Sequence, residues 1–148
     1  MDEVSFKLNM SNNITGQIYL IIDEQSFPEK GWYDFPVIVL SWWLQSLENI
    51  LNSPLGTSYE FGFMDGPFLV RGIKNESDAL KLTFIKDRLD GEMELFTTIC
   101  SIKQFKNSLV SAAAKAVNFV EQTKRWSTDD IQELKKLCRK VSDSNFIC

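Results

Sequence analysis

The order in which hydrophobic periods follow one another constrains this chain more than any other feature. From Val4 to Met10, apolar Val4, Phe6, Leu8 and Met10 alternate with Ser5, Lys7 and Asn9. A period of two marks a strand with one buried face. Ser11-Asn12-Asn13 supplies turn chemistry, since asparagine tolerates a positive φ. Residues 14–22 then read as the return strand of a hairpin. Over 35–52 the period changes: Val37, Leu40, Trp43, Leu44, Leu47, Ile50 and Leu51 carry the i, i+3, i+4, i+7 spacing of a helix that buries one stripe. Asp34 stands where an N-cap belongs, and Pro36 falls in the first turn, where its missing N–H costs nothing. Ser53-Pro54 and Gly56 stop the helix.

Four more strands are expected at 58–63, 68–73, 79–85 and 93–100. The first two flank Met64-Asp65-Gly66-Pro67, and the last two flank the turn KDRLDGE. Asp-Gly between apolar runs is a strong hairpin signal. Two helices close the pattern. Ser101 with Gln104 forms a capping box for the first, whose stripe is Ile102, Phe105, Leu109, Ala113, Ala116 and Val120 and which runs to about Thr123. Trp126 sits in the joint. Ser127 caps the second, with Thr128, Asp129 and Asp130 in its first turn and Ile131, Leu134, Cys138 and Val141 as its stripe. The order ββ-α-ββββ-αα describes one α+β domain over 1–148 with a mainly antiparallel sheet. Its 148 residues suit a single domain.

Composition narrows the chemistry. The chain has no histidine, which removes Ser-His-Asp and Cys-His sites and histidine-ligated metals. Cys100, Cys138 and Cys148 have no CxxC spacing, so no zinc site is legible. Cys100 and Cys138 read as small buried hydrophobes and Cys148 as a free thiol, which suits a reducing cytoplasm. The N-terminus has neither the positive region nor the apolar region of a signal peptide. The longest apolar stretch, 35–44, falls short of the roughly 20 residues that cross a bilayer. The glycines match no phosphate loop or dinucleotide fingerprint, and KDRLDGE lacks the oxygens of a calcium loop. No cofactor and no metal are expected. Asp23, Asp65 and Glu92 are the carboxylates nearest strand ends, but nothing pairs two of them for acid–base work. No catalytic residue is assigned.

Charge is unevenly spread. Residues 1–70 hold nine acids and two bases, a net −7, and residues 71–148 hold eleven acids and fourteen bases, a net +3. An acidic face disfavours nucleic acid and anionic membrane and speeds encounter with a basic protein, although solubility alone also accounts for one. The segment 23–35 mixes Asp23, Glu24, Glu29 and Asp34 with Phe27, Trp32, Tyr33 and Phe35. Aromatic anchors ringed by charge are how interface hot spots are built. Trp32 and Phe35 could equally tuck under the loop. Trp42 and Trp43 are adjacent and cannot face the same way on a helix. Trp43 falls on the apolar stripe and Trp42 beside it.

Three segments together carry a family resemblance. Gly31-Trp32-Tyr33-Asp34-Phe35, then Val37-Ile38-Val39-Leu40 with Trp42-Trp43-Leu44, then Phe63-Met64-Asp65-Gly66-Pro67-Phe68 resemble the small bacterial immunity proteins that accompany polymorphic toxins, including those of contact-dependent growth inhibition. The likeness covers about residues 14–70 and the two-helix ending. It implies a cytoplasmic, non-enzymatic protein that binds and neutralises the C-terminal toxin domain of a cognate effector. Many such toxins are basic nucleases, which an acidic face complements. Asp23, Glu24, Glu29, Tyr33 and Asp34 are the expected partner contacts, and a monomer is expected. A small acidic secretion chaperone and a carboxylate-dependent enzyme remain the alternatives. Such chaperones usually open with a helix and dimerise, whereas this chain opens with strands.

Overall fold

A computed structural model describes residues 1–123 and 129–142 of the chain. Trp126, Ser127, Thr128 and Cys148, each given a place above, lie outside the described residues. The architecture is α+β and antiparallel throughout, but the strands form two four-stranded sheets rather than one.

In the first sheet, β1 (Val4–Met10) pairs with β2 (Gly16–Ile22), Val4 opposite Ile22 and Met10 opposite Gly16. This register puts Val4, Phe6 and Leu8 on one face with Ile22, Leu20 and Ile18, as the alternation requires. Two short strands share the other edge of β2. β3 (Gln25–Phe27) pairs with 20–22 and β4 (Tyr33–Asp34) with 16–17. The expected loop over 23–34 is thus ordered at both ends. Strands of two and three residues are too short to display a period.

α1 (Pro36–Leu51) follows, with Pro36 in its first turn and Phe35 at the N-cap position. The expected side-chain cap from Asp34 is absent, because its carboxylate is engaged elsewhere. The second sheet is a meander of β5 (Ser58–Gly62), β6 (Phe68–Glu76), β7 (Ala79–Arg88) and β8 (Gly91–Ser101). The last two strands run into the expected KDRLDGE turn, which shrinks to Leu89-Asp90. Phe84 faces Phe96 while Ile85 faces Glu94, so Leu95 is an extra, bulged residue.

α2 (Ile102–Thr123) and α3 (Asp129–Val141) pack on α1 and on each other. The core is aromatic. Trp43 is fully buried against Phe6, Phe61, Phe63 and Phe105, and its indole N–H donates to the Gly62 carbonyl at 2.7 Å. Phe27 links the sheets, with ring centroids 5.0 Å from Phe84 and 5.6 Å from Phe68. Such edge-on pairs contribute about 0.5–1.5 kcal/mol each beyond area burial.

The outer edge of β1 is covered by α2. Gln104 accepts the Val4 N–H at 3.1 Å and donates back to the Val4 carbonyl at 2.8 Å, and Ser108 Oγ accepts the Phe6 N–H at 3.0 Å. The Asp2 N–H donates to the Ile99 carbonyl at 2.9 Å, tying the start of the chain to β8.

The cysteine reading needs one correction. Cys100 is a buried free thiol, whereas Cys138, also buried, is disulfide-bonded. None of the described helices is long and apolar enough to cross a membrane.

Candidate functional site

The segments GWYDF and FMDGPF, far apart in sequence, are joined by one carboxylate. Asp34 Oδ2 accepts the Trp32 indole N–H at 3.0 Å and the Asp65 backbone N–H at 3.2 Å, and Oδ1 accepts the Phe35 N–H at 2.7 Å. The Trp32 ring stands edge-on to Phe68 with centroids 5.4 Å apart. Gly66 sits beneath it at φ 72°, where an added Cβ would lie 2.8 Å from Trp32 Cη2. Backbone conformation and available space both demand glycine there. The aromatic and Asp-Gly pattern therefore has an internal reason: it builds the joint between the β5–β6 turn and the loop before α1.

That joint corrects one expected partner contact. Asp34 is only 2% exposed, and its oxygens are turned inward. It is a buried clamp and not part of an outward-facing acidic surface.

The other four residues are on the outside. Asp23 and Glu24 form the β2–β3 turn, and Asp23 takes φ 54°, which a short polar side chain tolerates. Glu29 is exposed between β3 and β4. Tyr33 is 48% exposed, with its hydroxyl 3.1 Å from Thr15 Oγ1. Hydrogen bonds from Ser11 and Thr15 hold this phenol below its ordinary pKa. Tyr33 lies opposite Gln17 and the acidic turn follows Ile22, so the two ends of this strip are separated by about 20 Å of β2. They are not one cluster. A standard interface of about 800 Å² per partner is wide enough to span both. The strip runs along the β3–β4 edge, the side of the first sheet opposite the edge that α2 covers.

Of the carboxylates weighed for catalysis, Glu92 is held in an ion pair. Glu92 receives both Arg71 guanidinium nitrogens, at 3.0 and 2.8 Å, while Arg71 Nη2 also bonds Glu60 at 2.6 Å. This contact lowers the Glu92 pKa and raises that of Arg71. A general acid at neutral pH needs the opposite shift. Asp65 is a turn residue whose N–H serves Asp34. Burial, then the charges of Asp2 and Asp78, push the Cys100 thiol up to about 12, which leaves it unreactive. Among the described residues, no group of three or more acids or cysteines is arranged to hold a metal ion.

One feature of the surface has only a faint sequence signal. Trp42 falls off the apolar stripe of α1, and its indole is 46% exposed beside α3. Nothing in the sequence says which helix lies next to it.

Comparisons of the chain with family models, curated proteins and solved structures find no match.

Proposed function

We propose that this protein is an immunity protein, a stoichiometric inhibitor that binds a basic toxin domain of a cognate bacterial effector and neutralises it without catalysis. The observation that carries the reading is the exposed strip of Asp23, Glu24 and Glu29, with half-exposed Tyr33, on the β3–β4 edge. The backbone beneath it is fixed by β2 pairing and by the Asp34 clamp, so little ordering is left for binding to impose. Exposed carboxylates accelerate encounter with a basic partner, and a rigid aromatic such as Tyr33 anchors the contact once formed. The resemblance of the aromatic segments to immunity proteins agrees with this reading. The producing cell's cytoplasm is the compartment it calls for.

The test is affinity capture from the producing cell's lysate, with mass spectrometry to identify the partner and titration to measure its affinity. The wild-type protein is expected to retain the C-terminal domain of a large secreted protein. In the triple variant Asp23→Asn, Glu24→Lys, Glu29→Lys, asparagine preserves the left-handed backbone at position 23. Affinity for that domain should fall roughly tenfold or more, through slower association, with a shallower salt dependence. Unchanged affinity and salt slope would remove the strip from the interface. Capture of an intact secreted substrate by an unfolded segment would replace the immunity reading with a chaperone.

A further inference from the structure

We propose that the groove between α1 and α3 is a receptor for an arginine side chain presented by a basic protein partner. The groove encloses about 270 Å³. Its apolar floor comes from Ile38 and Leu137, the exposed indole of Trp42 lines it, and Gln45 stands at its rim. From α3 come Asp130 and Glu133, three residues apart and so on one helix face. Among the described residues neither carboxylate makes a hydrogen bond or an ion pair, and the Trp42 indole N–H donates to nothing.

Three kinds of group converge here: a flat aromatic face, two unpartnered negative charges and a short apolar trough. A planar guanidinium stacks on an indole face, offers several N–H donors to carboxylates and trails an aliphatic stem that fits an apolar floor. A carboxylate ligand would be repelled, and a purely apolar one would leave both acids unanswered. The same helix pair shows the complementary case elsewhere along its length. There Lys140 of α3 reaches Glu48 of α1 at 3.3 Å, so the chain supplies its own cation. At Trp42, Asp130 and Glu133 no cation comes from the described residues.

The inference does not rest on the immunity reading, since any basic partner could present the arginine. Its test is a titration of the ¹⁵N-labelled full chain with acetyl-Gly-Arg-Gly-amide, following the tryptophan indole N–H resonances. The Trp42 resonance is assigned by its loss in Trp42→Phe. The arginine peptide should shift the Trp42 resonance saturably and leave that of buried Trp43 in place. The citrulline peptide, neutral but nearly the same shape, should bind roughly tenfold or more weakly. The double variant Asp130→Asn, Glu133→Gln should lose the saturable shift while its other indole resonances stay put, which shows the fold intact. No saturable shift, an equal response to citrulline, or an undiminished response in the double variant would each overturn the proposal.

Discussion

At the scale of single residues, Asp34 shows how one carboxylate holds two distant segments together. Replacing it by alanine removes the acceptor of the part-buried Trp32 indole N–H and of the Asp65 N–H in the exposed turn. A buried donor left unsatisfied costs about 1–3 kcal/mol and one that water can reach costs less, so Asp34→Ala should lower the stability measured by urea unfolding by about 1–3 kcal/mol. Exposed Glu29→Ala should change it by less than about 0.5 kcal/mol. Equal effects would show that the clamp contributes nothing. The sequence places Asp34 correctly, just before a Phe-Pro helix start, and still misleads about its use. An aspartate in that position reads the same whether it caps the helix or reaches across to a turn thirty-one residues later. Local chemistry cannot separate the two. Trp32 and Phe35, by contrast, offered two readings from the start, and for Trp32 the structure takes the inward one.

At the scale of elements, every long periodic segment was legible. β1, α1, α2 and α3 fall within two residues of where their apolar spacing puts them. The short strands β3 and β4 were not, because pairing with β2 creates them and no pattern of their own announces them. The β7–β8 hairpin extends past its expected ends for a related reason. Lys86, Asp87, Arg88 and Glu92 lie in paired strand but are exposed, so they show no hydrophobic alternation. The turn between β5 and β6 carries its own prediction. Gly66→Ala puts a side chain into a positive-φ position and drives its Cβ against the Trp32 ring. We expect a loss of about 1–3 kcal/mol, together with a changed Trp32 environment in near-ultraviolet circular dichroism. If stability and spectrum both stay at wild-type values, the close packing of turn and ring is wrong.

At the scale of the whole molecule, the division into two sheets and the packing of α3 on α1 depend on contacts between residues far apart, which hydrophobic periods do not encode. The same holds for the functional surfaces. The acidic strip was visible as composition, yet only the fold separates Asp34 from it and stretches the remainder along one sheet edge. The groove beside Trp42 needs α3 as a neighbour. Oligomeric state is a property of this scale too. β8 is the outer strand of its sheet and shows Met93, Leu95 and Ile99 to solvent. That apolar row is interrupted by Glu92 and Glu94, bent by the bulge at Leu95, and blocked at the Ile99 carbonyl by Asp2. These are devices that keep edge strands apart. Light scattering should therefore report a monomer at micromolar concentration. A dimer would instead assign the β8 edge to self-association and revive the chaperone reading.

The sealed edge of β1 has a consequence for how the protein is made. Val4 and Phe6 leave the ribosome well before the side chains that satisfy their amides, Gln104 and Ser108, which arrive about a hundred residues later. At synthesis rates of roughly 5–20 residues per second, that interval lasts about 5–20 s. Throughout it the nascent hairpin offers an open strand to any other chain. Lys7 and Asn9, which point away from the hydrophobic face, keep that strand charged and polar on one side until its own helix arrives.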